Sequence, residues 1–264
     1  GAAARLEDFL TSRLARYAGH RDEPVAEATS RLSPHLRFGE ISPFQVWHAV
    51  EGRRKAAPSD IERSIAKFQS EIGWREFSWH LLFHQGDLAT RNFQPRFDTF
   101  PWPKADANAL AAWQKGRTGV PIVDAGMREL WRTGWMHNRV RMITASFLTK
   151  NLLIDWRIGE AWFWDTLVDA DAANNPAGWQ WVAGSGADAA PYFRIFNPVT
   201  QGETHDPDAA YIRAFVEELS RLDAAEIHSL AKRAPPAGYP RPIVDLSASR
   251  QRALDAFAAL RGGQ

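Results

Sequence analysis

Residues 61–80 read IERSIAKFQSEIGWREFSWH, and their periodicity decides the fold class. Ile61, Ile65, Phe68 and Ile72 recur at steps of four, three and four, which sets them in one apolar stripe along a helix. Met136, Val140, Ile143 and Phe147 repeat the pattern within TGWMHNRVRMITASFLTK (133–150). Alternating Val, Ile and Thr segments bounded by turns are scarce, so the chain is predicted to be essentially all-α. Ser33-Pro34 and Ser42-Pro43 each read as an N-cap followed by proline at the first helical position. Breakers fall at RDEP (21–24), AAPSD (56–60), HQGDLATRNFQPRFDTFPWPK (84–104), DADAANNPAGWQWVAGSG (169–186) with its continuation to about Pro207, and APPAGYPRP (234–242). A last helix is expected from about Ser247 to Leu260. No solenoid-length repeat interrupts this pattern, and one helical domain over residues 1–264 is the simplest organisation.

Composition bounds the function. With 264 residues and 45% hydrophobic content, the chain can bury one substantial core or two small ones. No apolar run approaches the roughly 20 residues that span a bilayer, and GAAARLEDFL lacks the regions of a signal peptide, so no membrane partner is expected and a cytoplasmic location is the default. The absence of cysteine excludes disulfides, thiolate metal sites and cysteine nucleophiles. A formal charge of +1 means that any contact with nucleic acid must rest on a local basic patch. Twelve tryptophans against four tyrosines point either to stacking surfaces or to a Trp-rich helical core.

Four stretches could carry chemistry. In SEIGWREFSWH, the residues Glu71, Trp74, Arg75 and Ser78 share a face opposite the apolar stripe. From spacing alone, a surface Glu71–Arg75 pair beside a partly buried Trp is the favoured reading. Asn138, Arg141 and Met142, with Arg139 beside them, form a face that suits a planar, polar-edged ligand, or simply end an amphipathic helix. Thr29, Ser30 and Ser33 in TSRLSPHL precede a helix start, where hydroxyls and free N–H groups would cradle a phosphate. Plain capping explains Ser33 but hardly Thr29 and Ser30. Asp169-Ala170-Asp171 opens like a calcium loop, yet Ala173 and Asn174 stand where that loop needs a ligand and then glycine, so no metal site is expected. Asp169 is expected to pair with a buried arginine. No Ser-His-Asp set supports a hydrolase.

Together, TSRLS, EIGWREF, GVPIVDAGMREL, TGWMHNRVRMITASFLTKNLLIDWR and DADAANNPAGWQW with GADAAPYFRIFNP stand in the order and near the spacing of the helical flavin domain of the photolyase/cryptochrome family. The resemblance runs from about Leu6 to the C-terminal helix and is greatest to microbial cyclobutane pyrimidine dimer photolyases. It implies an all-α, FAD-binding helical domain, with the option of two helical lobes around the cofactor. It also implies that Tyr17 and Thr29, Ser30, Arg31, Leu32 and Ser33 hold the FAD phosphates, with Phe68 and Arg75 near the cofactor. Arg141 would pair with Asp169; Asp169, Ala170 and Asp171 would contact flavin ring and ribose; Asn138 would border the cofactor; and Asn175 would face flavin N5.

The activity implied by the resemblance is light-driven electron transfer from reduced FAD to a flipped-out pyrimidine dimer in DNA. Glu71 and Asn138 would hydrogen-bond the bases, Trp74 and Trp181 would stack on them, and Met142 would pack against them. Arg139, Arg194 and Arg21 would meet phosphates. Met142 stands where the (6-4) photolyases carry His, which favours the cyclobutane dimer. Trp179 and Trp156 match the inner members of the family's tryptophan relay; Phe97 is near the expected outer position and Trp102 lies beyond it, with Trp131 or Trp135 as other outlets. The sequence contains nothing like the family's N-terminal α/β antenna domain, so a fragment or reduced homologue without antenna function is expected, as a monomer. A cryptochrome-type light sensor and a flavin-binding module inactive without that domain are the alternatives.

Overall fold

The computed structural model describes residues 1–56, 59–188 and 193–261, and among these there is no strand. Residues 57–58 of the AAPSD breaker and 189–192 of the GADAAPYFRIFNP motif lie outside the described residues. The N-terminal part comprises α1 (Ala2–Asp8), α2 (Tyr17–His20), α3 (Ser33–Arg37), α4 (Pro43–Ala56) and α5 (Glu62–Gln85). Its core is built from Phe9, Leu14, Tyr17, Val46, Val50, Ile65, Phe68 and Ile72. A larger core follows under α6 (Ala107–Gln114), α7 (Pro121–Thr133), α8 (Asn138–Ser146), α9 (Trp156–Thr166), α10 (Asn174–Ala183), α11 (Pro198–His205), α12 (Ala210–Phe215) and α13 (Ala224–His228). Finally α14 (Leu246–Arg261) covers a small aromatic cluster of Phe97, Phe100 and Phe193.

The apolar stripes behave as the periodicity requires, with shifts at their ends. Ile65, Phe68 and Ile72 are buried on α5, while Ile61 belongs to a single 3₁₀ turn before it and is half-buried. Met136 precedes α8, because the His137 side chain caps that helix by accepting Arg139 N–H at 3.2 Å; Phe147 sits in a wider π-turn after it. The last helix matches its expected bounds within a residue at each end.

Two local expectations are corrected. Ser42 does cap α4, exchanging hydrogen bonds with Gln45 at 2.8 and 3.2 Å. Ser33 does not cap α3: the N-cap is Leu32, with no side-chain bond, and the Ser33 hydroxyl is engaged by Asp169. A tertiary carboxylate has outcompeted the local backbone donor. The stretch from Asp169 to about Pro207 is not a continuous breaker, since it contains α10 and α11. Asp171 starts α10 by accepting the N–H groups of Ala173 at 2.9 Å and Asn174 at 2.5 Å, and Gly184 ends it at φ 98°.

A latch closes the larger core. Buried Asp124 near the start of α7 accepts N–H of Thr118 (2.7 Å) and Gly119 (3.0 Å) and the Tyr239 hydroxyl (2.7 Å), and Ile243 N–H bonds Thr118 O. The segment following Tyr239 thus presses on Gly119, whose φ of +74° and contact with the Arg241–Pro242 backbone leave no room for a Cβ. Gly119→Ala combines left-handed strain with overpacking and is expected to cost about 2–4 kcal/mol, read as a lowered urea midpoint at unchanged m-value.

Candidate functional site

A cavity of about 680 Å³ opens between the two larger cores. That is the size of a cofactor site. The α5 stripe supplies one wall through Phe68 and Ile72, and the neighbouring face of the same helix supplies Glu71, Trp74, Arg75 and Ser78. The opposite wall comes from α8 and α10, and the end is closed by the 29–33 loop and the Asp169–Asp171 segment.

The ion pair between Arg141 and Asp169 joins these pieces. The guanidinium donates Nη1–H and Nη2–H to the two carboxylate oxygens at 3.0 and 2.8 Å, and its Nε–H goes to Met136 O at 2.8 Å. The Asp169 side chain is 1% exposed. Burial alone would raise its carboxyl, but the Arg141 charge and hydrogen bonds, with the Ser33 hydroxyl, outweigh this and hold it below the ordinary aspartate range. Asp171 turns the other way, into the cap of α10, so the two acids do not act as a pair.

The 29–33 loop contains Arg31 at φ 50° followed by Leu32 at φ −84°, ψ −7°. A left-handed residue beside a right-handed one gives the concave backbone of an anion-binding nest, in which Leu32 N–H reaches Ser30 Oγ at 3.4 Å. Arg31 stacks its guanidinium 4.5 Å from the Trp135 ring centre. Tyr17 packs edge-on to Phe68 at 5.2 Å. Burial, opposed by Arg21, raises its phenol; the hydroxyl stays protonated across the neutral range.

At the mouth, Trp74 is 48% exposed and Asn138 is exposed, with Asn138 Nδ2 3.8 Å from Met142 Sδ. The i,i+4 pair of Glu71 with Arg75 does not form. Glu71 pairs instead with Arg21 at 2.9 Å and Lys67 at 2.9 Å, while Arg75 binds Glu76. Arg139 pairs with Asp22 at 2.9 Å. Arg21 and Arg139 are therefore at the rim but engaged with acids. Trp181 lines the cavity; Arg194 does not, being exposed and stacked over Phe196.

Asn175 gives both N–H bonds of its amide to Glu160, at 3.1 Å to the backbone oxygen and 2.9 Å to the carboxylate. Trp179 is buried against Phe163 and Trp113, with ring centres 5.0 and 6.2 Å away, and its ring lies directly on Gly159 of α9. Any Cβ at Gly159 would overlap it. Trp156, one turn earlier on α9, is buried and lies outside the cavity lining. Phe97 is buried in the aromatic cluster under α14, whereas Trp102 is half-buried and touches both that cluster and the larger core. Trp131 is 72% exposed and stacks on Trp162, away from Trp179's ring neighbours.

Sequence reasoning missed several residues that build the site. Arg37 donates to Ala170 O at 2.5 Å, tying α3 to the acidic segment. Gln180 donates to Leu88 O and Arg91 O and accepts Phe93 N–H, fastening the loop after α5 to α10. Trp135, expected only as an outlet for the tryptophan relay, lines the cavity instead.

Arg21, Trp135, Arg139 and Trp179, all lining residues, each keep a buried N–H without a protein partner. Native interiors rarely leave such donors bare. A large ligand with many acceptors, such as a flavin dinucleotide, fits both the volume and these donors. The comparisons agree. Residues 68–259 match the family described as the FAD binding domain of DNA photolyase. The deoxyribodipyrimidine photo-lyase of Agrobacterium fabrum is 55% identical over 99% of this chain and 56% of its own length. A bacterial class III photolyase from Agrobacterium tumefaciens superposes with a TM-score of 0.91 at 53% identity, over 99% of this chain and 56% of that one. A Synechocystis cryptochrome gives 0.89 at 34% identity, over 97% and 55%. The chain thus spans about half the length of these relatives. No helix among the described residues is long and apolar enough to cross a membrane.

Arg141→Met strands a buried carboxylate and is expected to destabilise the protein by about 3–5 kcal/mol. The stabilisation from Asp169 is fully present above its unfolded pKa of about 4 and is lost as pH falls through its lower folded value. Urea titrations across this acid range should show a fall that Asp169→Asn removes.

Proposed function

The chain belongs to the photolyase family, and on that premise we propose that it is the flavin- and lesion-binding part of a light-driven enzyme that reverses cyclobutane pyrimidine dimers in DNA. The observation that carries this is one cavity with two unlike ends. Its inner end has a locked ion pair, bare indole donors line its walls, and its mouth has an exposed indole, a carboxylate, an amide and a thioether.

The 29–33 nest and Tyr17 would hold the phosphates, with Phe68, Arg75, Asn138, Arg141, Asp169, Ala170, Asp171 and Asn175 around the rest of the cofactor. The chemistry that FAD supplies when bound is a light-excited electron, lent to the dimer and recovered after its ring opens. Every other task falls to side chains. Trp74 and Trp181 offer flat faces for an extruded dinucleotide, which costs less to unstack when damaged. Glu71, which keeps Lys67 when Arg21 turns to a phosphate, and Asn138 supply directed hydrogen bonds to the bases, and Met142 fills the space beside them. Arg21 and Arg139 meet DNA phosphates by exchanging Glu71 and Asp22 for them, while Arg194 contributes from outside the cavity. Asn175, with its NH₂ held by Glu160, would have its amide oxygen left to accept from the cofactor ring. Trp179 and Trp156 relay the electron that prepares the cofactor, and half-buried Trp102 is the better outlet than enclosed Phe97. Residues 1–264 act here as one monomeric, cytoplasmic unit.

The likeness to a cryptochrome favours a second reading, a blue-light sensor with the same cavity. Repair separates the two. Purified protein is expected to show flavin absorption bands and, once chemically reduced, to restore thymine-dimer DNA under blue light. Flavin bands without repair would favour the sensor or a module inactive on its own. Trp156→Phe should slow photoreduction several-fold while sparing repair by prereduced protein; equal loss of both would refute that division of labour.

A further inference from the structure

We infer that Asn92 and Asp98, two residues outside the cavity lining, set the direction in which charge leaves Trp179. This rests on the relay reading of Trp179 and Trp156. The two indoles differ in what their N–H groups meet. Trp179 Nε1 is buried without a protein partner. Trp156 Nε1 donates to Asn92 Oδ1 at 3.0 Å, and Asn92 Nδ2 in turn donates to Asp98 Oδ1 at 2.7 Å. Asn92 is itself buried, and its bond to Asp98 orients the amide so that its oxygen faces the indole.

The difference matters once an indole carries positive charge. Oxidation makes its N–H a charged donor, and a charge-assisted hydrogen bond is roughly twice as strong as a neutral one. The Asp98 carboxylate behind the amide polarises it further. The charged form of Trp156 is therefore stabilised by a built protein acceptor, whereas the protein supplies none to the Trp179 N–H, which lines the cavity beside Phe163 and Trp113. Arg157 lies 4.7 Å over the Trp156 ring and opposes this, but its charge is matched by Asp155, with both carboxylate oxygens at 3.2 Å, in a partly exposed pair. The Asn92–Asp98 contact remains as the net bias outward.

The electrons balance. One electron leaves the Trp179 indole for the oxidised cofactor. One electron from Trp156 refills Trp179, and a thiol reductant in solution returns one electron to the relay, so the thiol is oxidised and the cofactor reduced. No proton moves within the relay, because an amide oxygen is too weak a base to take the Trp156 proton.

The test uses the full chain loaded with FAD. Asn92→Leu removes the acceptor while filling the site, and Asp98→Asn removes only the charge. Asn92→Leu is expected to slow photoreduction several-fold under blue light with a thiol donor, and Asp98→Asn to slow it less, with repair by chemically prereduced protein unchanged in both. In apoprotein, the Trp156 emission, obtained by difference against Trp156→Phe, should shift to the blue in Asn92→Leu. Photoreduction at the parental rate in both variants, with Trp156→Phe impaired, overturns this inference alone. If Trp156→Phe also photoreduces normally, the relay reading falls and this inference with it. Parallel loss of repair and photoreduction would overturn it in favour of general damage. Should Asn92→Leu not fold, Asp98→Asn decides by the same photoreduction criterion.

Discussion

The Arg141–Asp169 ion pair is the constraint on which the site depends. It joins the first turn of α8 to the segment entering α10, and Ser33 brings the 29–33 loop to the same carboxylate. Buried charge is costly, and such a pair adds little net stability over apolar packing. What it secures is geometry, since a fork of two N–H groups fits a carboxylate in one orientation only. Arg37 reaches Ala170 O from the other side, so the acidic segment is held from both α3 and α8. The cavity lies between two separately packed cores, and these bonds, with those of Gln180 and the Arg139–Asp22 pair, set the distance between them.

The same economy appears at the mouth. Two cations at the rim are each paired with an acid, Arg21 with Glu71 and Arg139 with Asp22. Exchange of a carboxylate for a phosphate costs less desolvation than recruiting a hydrated cation would, and it keeps the net charge of the chain low. The Asp22 carboxyl shows the balance: burial raises it, and the charge and hydrogen bond of Arg139 bring it below its ordinary range.

Much of the fold was legible because helices announce themselves locally. The stripes of α5 and α8 followed from spacings of three and four, and the start of α4 from the Ser42-Pro43 cap signature. Two failures show a distant partner taken where only a near one was expected. Ser33 has a cap to make and gives its hydroxyl to Asp169; Glu71 has Arg75 one turn away and takes Arg21 from α2's end. Residues 174–183 look like loop because asparagines, Pro176 and a glycine crowd them, yet Asp171 starts a helix there. At the site, the paired Arg141 and Asp169 were readable as types in a motif. Arg37, Gln180 and Asn92 were not, because a side chain bound to backbone or ring N–H some 60 to 130 residues away leaves no periodic trace.

Gly159 gives the tryptophan at the cavity wall a seat of bare backbone. An indole resting on a helix without an intervening methyl, and edged by Phe163 and Trp113, is closely confined. Its position relative to α9 is fixed before any ligand arrives. Under the relay proposed for this indole, charge would not wait for side-chain motion, so photoreduction would vary little with temperature and persist in frozen solution, where a process that depended on loop closure would stop.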